Sequence, residues 1–176
     1  ENGIVAHVPM AKPTCKVLMD LSRDILEELK IKHSYGGTYL AMEGPQFSTK
    51  AESQLYRSWY CDIIGMTNMP EAKLSREAEI RYASISMVTD YDSWSSVHEN
   101  VDLQMLLDTM DKNVEKSKKF IENFSIKYNT NINFNSDNTS KILDTSIVTQ
   151  QINWNKKTEF KLTNILKRFK KANNVG

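Results

Sequence analysis

Gly37-Thr-Tyr-Leu-Ala-Met-Glu-Gly-Pro-Gln-Phe-Ser-Thr-Lys-Ala-Glu-Ser53 changes from one backbone periodicity to another within a few residues. Thr38 to Met42 carries β-formers and reads as a strand, and Gly44-Pro45 breaks it. Thr49-Lys-Ala-Glu52 is a capping-box pattern, which predicts a helix running to about Trp59. Working outward, Asp62 to Met66 is a short apolar strand, and Pro70 opens a second helix reaching about Ile80. Upstream, Val17, Leu18, Leu21, Ile25, Leu26 and Leu29 recur at helical spacing behind Pro13, and Gly3 to Val8 reads as a strand. Downstream, Tyr82 to Val88 alternates like a strand, and Leu103, Leu106, Leu107, Met110, Val114, Phe120, Ile121 and Phe124 mark a long amphipathic helix. Strands alternating with helices at these lengths predict an α/β layered fold with crossover connections.

The chain has 176 residues, 40% hydrophobic and 26% charged, the composition of a folded globular domain. No apolar run approaches the ~18 residues of a membrane span. A net charge of +1 argues against a dedicated nucleic-acid binder. Cys15 and Cys61 offer neither a disulfide framework nor zinc spacing, so a reducing, cytoplasmic compartment is expected, with no metal. The charge is unevenly spread: residues 125–176 hold nine basic and three acidic residues, net +6, against −5 for residues 1–124. That tail opens with the Asn-rich stretch Tyr128 to Asn138, expected as a loop, and ends in a basic amphipathic helix around Lys167-Arg168-Phe169-Lys170-Lys171 whose charges form a solvated face. Because the sequence opens Glu1-Asn2-Gly3 and enters directly into strand-like residues, sequence upstream of it is expected.

Three strand-to-helix junctions carry unusual clusters: Glu43 to Ser48, Gly65 to Pro70, and Thr89-Asp-Tyr-Asp-Ser-Trp94. Each alone has a plain explanation as turn punctuation, buried Met or helix caps. Their combination is more informative, since ligands of open α/β sheets bind beyond the carboxyl ends of strands. Phe47 offers a flat face for a heteroaromatic ring. Asp90 and Asp92, spaced i, i+2, can meet a purine's ring nitrogen and its exocyclic amine, and a buried Asp can protonate a leaving base. A Thr67 hydroxyl beside a helix N-terminus suits a phosphate. A stacked purine, an acid and an anion seat together describe N-glycosidic cleavage by phosphate.

These stretches, with Asp62-Ile-Ile-Gly-Met-Thr-Asn-Met-Pro-Glu-Ala-Lys-Leu-Ser-Arg-Glu-Ala-Glu79 and Met87-Val-Thr-Asp-Tyr-Asp-Ser-Trp94, closely resemble the signature of 5′-methylthioadenosine phosphorylases in the purine nucleoside phosphorylase family. The resemblance covers about residues 3–124, and Ile142 to Thr149 still fits a late family strand. It implies a three-layer αβα fold around a central mixed sheet, with residues 1–176 as the C-terminal part of a single domain. It also implies roles. Phe47 stacks on adenine, Ser48 sits near the base, Met66 packs beneath the ribose, and Thr67 contacts phosphate. Asp90 faces N7 as proton donor and Asp92 binds the amino edge; sister enzymes for 6-oxopurines carry Asn at the position of Asp90. Leu103 replaces a His that reaches a 5′-hydroxyl, so it favours a methylthio group. His7 matches a His that reaches a neighbouring subunit's 5′ pocket, which implies a homotrimer.

The expected reaction converts 5′-methylthioadenosine and phosphate to adenine and 5-methylthioribose 1-phosphate in purine and methionine salvage. It uses no cofactor, since phosphate is a co-substrate, and involves neither nucleic acid nor membrane. Family members also carry a glycine-rich phosphate loop and an Arg-His pair upstream of the matched residues. Neither occurs in this sequence, and Arg23, Arg57, Arg76 and Arg81 do not reproduce the pair. The chain is therefore expected to be inactive or nearly so alone. The alternatives are a relative acting on adenosine, inosine or methylthioinosine, and a non-catalytic purine-binding remnant.

Overall fold

The computed structural model describes residues 3–95, 103–128 and 132–173, which divide into two compact units. One unit comprises residues 19–69 and 84–132; the other comprises residues 1–18, 70–83 and 133–176.

The first unit takes most of helix α1 (Lys16–Glu28), strand β1 (Tyr39–Ala41), helix α2 (Lys50–Ser58), strand β2 (Ile63–Gly65) and helix α4 (Leu103–Tyr128). β1 and β2 pair in parallel, with Tyr39 opposite Ile63, Leu40 opposite Ile64 and Ala41 opposite Gly65. A parallel pair requires a crossover, and α2 is that crossover. The entry to β1 is pinned from the far side of the pair: the Thr38 N–H donates to Asp62 Oδ2 at 2.7 Å. Gly37 is needed there twice over, for its φ of +118° and because a Cβ would lie 2.8 Å from that same oxygen. Ile25 on α1 and Ser53 on α2 are fully buried, and Ser22, Phe120 and, on the β1–α2 connection, Ser48 are buried. Along α4, Phe120, Phe124 and Tyr128 stack at i, i+4 spacing with centroids 5.6 and 5.7 Å apart.

The second unit holds most of α3 (Asn68–Glu77), α5 (Leu143–Ser146), α6 (Lys156–Lys161) and α7 (Thr163–Asn173). Its core is Ile142, Leu143, Trp154, Leu166 and Phe169, against which Ile4, Ala6, Val8, Ile147 and Leu162 pack. Polar groups bind its segments together. Arg76, buried, donates to Thr139 Oγ1 at 3.1 Å and to the Lys12 carbonyl. Arg81 donates to Asp137 at 3.1 Å and lies over the Phe134 ring. Arg168 donates to both oxygens of Glu79, at 2.5 and 2.6 Å, and to Asp144 at 2.7 Å.

Helices α1 to α4 and α7, with β1 and β2, occur where the sequence predicts them, with α3 starting two residues before Pro70, whereas α5 and α6 are helices that the sequence reading does not predict. Three predicted strands differ. Among the described residues, Gly3 to Val8 makes only an isolated antiparallel bridge, Ala6 to Ile147. Ile142 to Thr149 is helical over Leu143–Ser146: the Leu143 N–H is taken by Glu79 Oε1 at 3.0 Å, and Ser146 Oγ donates back to the Ile142 carbonyl at 2.7 Å. Tyr82 to Val88 joins no ladder among the described residues. The Val88 carbonyl instead accepts from Asn113 Nδ2 of α4 at 3.2 Å. The sheet of the described residues is thus two parallel strands. The basic helix occurs as α7, but Arg168 and Lys170 are not simply solvated, since Arg168 forks onto Glu79 and Asp144 and Lys170 pairs with Glu159. Of the Asn-rich loop, residues 129–131 lie outside the described residues; beyond them the Asn135 N–H donates to Asn133 Oδ1 at 2.8 Å, a local turn that replaces regular pairing.

Candidate functional site

The candidate residues of the first unit gather where β1 and β2 end. The Met42 N–H donates to the Gly65 carbonyl at 2.9 Å, extending the pairing one residue past β1. The two chains then diverge into loops that touch again. A Cβ on Gly44 would lie 2.6 Å from Met66 Sδ, so only glycine lets the Met66 side chain lie across this turn, beside the cis Gly44-Pro45 bond. Ser48 is buried, with Oγ 3.6 Å from Met42 Sδ. Phe47 next to it is 83% exposed. Thr67 is exposed and stands immediately before the first turn of α3.

Residues 89–95 fold onto this loop pair through two side-chain hydrogen bonds. Ser93 Oγ donates to the Ser48 carbonyl at 2.8 Å. Ser53 Oγ donates to Asp92 Oδ2 at 2.5 Å. Asp90 organises the turn itself: Oδ2 accepts from Thr89 Oγ1 at 2.7 Å, and Oδ1 accepts from the Asp92 N–H at 3.1 Å. The Arg57 guanidinium of α2 lies 3.9 Å from the centre of the Trp94 ring, whose edge meets Tyr91 at 6.0 Å. Asp90 is exposed, where a general acid is expected to be buried, and Asp92 is half-buried.

Ser48, Met66, Asp90 and Asp92 therefore share one end of the parallel pair, with Phe47 and Thr67 on the same two loops. His7 belongs to the other unit, where it is exposed and its N–H donates to the Ser146 carbonyl at 2.8 Å. Leu103 opens α4, and its side chain lies outside the described ones. Sequence reasoning missed Ser53, Ser93 and the Arg57–Trp94 stack. Ser53 stands between Glu52 and Gln54 on a helix, so nothing local distinguishes it from a surface hydroxyl. Only the return of the chain at residue 92 gives it a partner. Among the described residues no cluster of His, Cys, Asp and Glu could hold a metal, and no helix is long and apolar enough to cross a membrane.

The Asp92 carboxylate beside the buried Ser53 hydroxyl, two residues from Asp90, can accept from N–H groups of a planar base, and Phe47 on the neighbouring loop is an exposed ring.

Comparison with known proteins bears on the same segments. The S-methyl-5′-thioadenosine phosphorylase of Rhodospirillum rubrum is 46% identical over 148 residues, 84% of this chain and 50% of the relative. That of Prochlorococcus marinus is 51% identical over 125 residues, 69% of this chain and 40% of the relative. The chain thus spans about half the length of the curated relatives it matches. A methylthioadenosine phosphorylase from an Antarctic soil metagenomic library superposes with a TM-score of 0.82 at 35% identity, over 94% of this chain and 58% of that one. Methylthioadenosine phosphorylase from Schistosoma mansoni, solved in complex with adenine, gives a TM-score of 0.73 at 26% identity, over 82% and 57%. The sequence profile of the phosphorylase superfamily matches residues 1–125, both strands and all three loops included, and to that superfamily this chain belongs.

Proposed function

We propose that the protein serves the phosphate-dependent cleavage of 5′-methylthioadenosine to adenine and 5-methylthioribose 1-phosphate, in purine and methionine salvage. The observation that carries this reading is the joining of the 43–53 and 89–95 segments by Ser93–Ser48 and Ser53–Asp92 at the carboxyl ends of parallel strands. The substrate follows from the relatives, which are methylthioadenosine phosphorylases. Phosphate attacks C1′ as the bond to adenine N9 breaks through an oxocarbenium-like state. Asp90 protonates N7, so that adenine leaves neutral, and Asp92 accepts from the exocyclic amine. Phe47 stacks on the base beside Ser48, Met66 supports the ribose, and Thr67 holds phosphate with the first turn of α3. Leu103 and, from a neighbouring subunit, His7 border the 5′ group in a cytoplasmic homotrimer. Residues 1–176 act as the C-terminal part of one phosphorylase domain, and no metal or organic cofactor takes part.

Much of the rate in such a reaction comes from holding the nucleophile behind the anomeric carbon. Without the glycine-rich loop and Arg-His pair of the family, this chain alone is expected to bind adenine while turning over slowly or not at all. The test measures adenine binding, and adenine release from 5′-methylthioadenosine with and without phosphate. Adenine binding with release that is either absent or phosphate-dependent supports the reading. Release that ignores phosphate, or failure to bind adenine, overturns it. A mutant of the adenosine/methylthioadenosine phosphorylase from Schistosoma mansoni superposes with a TM-score of 0.62 at 32% identity, over 67% of this chain and 47% of that one. Adenosine is accordingly the second substrate to assay, and a preference for it would exchange the 5′ assignment while leaving the base site intact.

A further inference from the structure

From the contacts of Asp92 we infer that Ser53 is a positioning residue for base selection: it holds one carboxylate oxygen of Asp92 so that the other faces the amino edge of the purine. The inference rests on the purine-site reading above and deepens it.

Ser53 is 1% exposed on α2, and its backbone N–H is already used by the Thr49 carbonyl at 3.0 Å. Its hydroxyl is the polar group left to satisfy, and it reaches Asp92 Oδ2 at 2.5 Å, across 39 residues of sequence. Asp92 is held a second time through its backbone N–H, which donates to Asp90 Oδ1 at 3.1 Å. One oxygen and the backbone of Asp92 are thereby fixed, and among the described residues its Oδ1 has no donor. A carboxylate oxygen can accept from an exocyclic amine and is repelled by the carbonyl of a 6-oxopurine. Discrimination of that kind depends on direction. An Asp side chain free to turn about χ1 and χ2 could present its oxygens elsewhere and lose most of the difference between the two bases. A buried hydroxyl donating to a carboxylate is a charge-assisted bond, strong enough to restrict that rotation.

Ser93 provides the control. Its hydroxyl ties the same two segments together through the Ser48 carbonyl without touching the carboxylate of Asp92. Were Ser53 only a fastener of the loop, loss of either hydroxyl would have the same consequence.

The experiment measures adenine and hypoxanthine affinities of the full 176-residue chain by calorimetry, for wild type, Ser53→Ala and Ser93→Ala. Alanine favours the helix, so α2 is expected to persist in Ser53→Ala. Ser53→Cys, which keeps the side-chain shape while weakening the donor, serves as a second variant. The adenine-to-hypoxanthine affinity ratio is expected to fall about tenfold in both Ser53 variants, as loss of a hydrogen bond to a charged group implies. It should stay within about twofold of wild type in Ser93→Ala. An unchanged ratio in the Ser53 variants, or an equal fall in Ser93→Ala, overturns the inference alone. A wild-type chain that does not prefer adenine overturns the purine-site reading, and the inference with it.

Discussion

Asp90 and Asp92 stand two residues apart and carry different loads. Both oxygens of Asp90 already accept hydrogen bonds, from the Thr89 hydroxyl and the Asp92 N–H, so its carboxylate shapes the turn as well as facing outward. Asp92 relies on Ser53 of α2. Substituting Asp90 with Asn keeps the size of the side chain and one acceptor oxygen but removes the proton donor proposed for N7. The expected outcome in the catalytically competent assembly is a fall in kcat/KM for 5′-methylthioadenosine of about 100-fold or more, with relative preference moving toward 6-oxopurine nucleosides. Steady-state kinetics on matched adenine and hypoxanthine nucleosides checks this, and an unchanged base preference would remove Asp90 from the assigned role. The residue types needed for these roles are visible in the sequence. The pairing of Ser53 with Asp92 is not, because it depends on how a chain of 39 residues returns to α2.

Among the elements, α2 has its start written most clearly in local sequence. The Thr49 side chain accepts from the Glu52 N–H at 3.2 Å, and Glu52 Oε2 accepts from the Thr49 N–H at 2.7 Å, so both halves of the capping box are made. The Thr49 backbone N–H and, after it, the Thr49 hydroxyl hold the Glu52 carboxyl below its ordinary value of 4.5. A carboxyl lowered on folding stabilises the folded state fully above its unfolded value, and that contribution is lost as pH falls through the folded value. The cap is therefore at full strength at neutral pH and weakens below about pH 4.5. Thr49→Ala should cost about 1 kcal/mol at neutral pH. Its deficit relative to wild type should shrink on acidification, which thermal melts across that pH range would show. A deficit constant with pH would mean that Glu52 takes no part in the cap. Strands behave differently from this helix. Tyr39–Ala41 and Ile63–Gly65 are short but have each other, whereas Tyr82 to Val88 has strand-like residues and no ladder partner among the described residues. A helix closes its hydrogen bonds within itself, while a strand closes them on a neighbour.

At the scale of the whole chain, each compact unit has its own means of cohesion. In the unit of residues 1–18, 70–83 and 133–176, Leu166 and Phe169 of α7 complete a core with Ile142, Leu143 and Trp154. Leu166 is 2% exposed, so Leu166→Ala should destabilise by about 2–5 kcal/mol through lost burial and the cavity left behind. Chemical denaturation followed by tryptophan fluorescence measures this, and a loss under about 1 kcal/mol would show that α7 adds little to the core. The uneven charge of the sequence also finds its use within this unit. Arg168 of the basic tail meets Glu79 of the acidic stretch, and Arg81 meets Asp137. The Glu79 carboxylate, with Asp144, raises the Arg168 guanidinium further above its already high range. The tail's net charge of +6 is thus partly internal, and a nucleic-acid surface is not needed to account for it.

Local sequence dictates the alternation of helical and strand-like segments, the limits of α2, the start of α4, β1 and β2 themselves and the three loops that carry the candidate site. Each of these rests on contacts within a few residues: i, i+4 periodicity, a capping box, or a Gly-Pro break after a β-rich run. Tertiary structure alone decided that Ser53 holds Asp92, that Ser93 ties Ser48, that Met66 lies across Gly44, and that Ile142 to Ser146 turns helical against Glu79. The physical reason is common to all four. A side-chain hydroxyl, a glycine's open face and an unpaired backbone N–H are satisfied by whichever distant group the fold brings near, and local sequence carries no record of which group that will be.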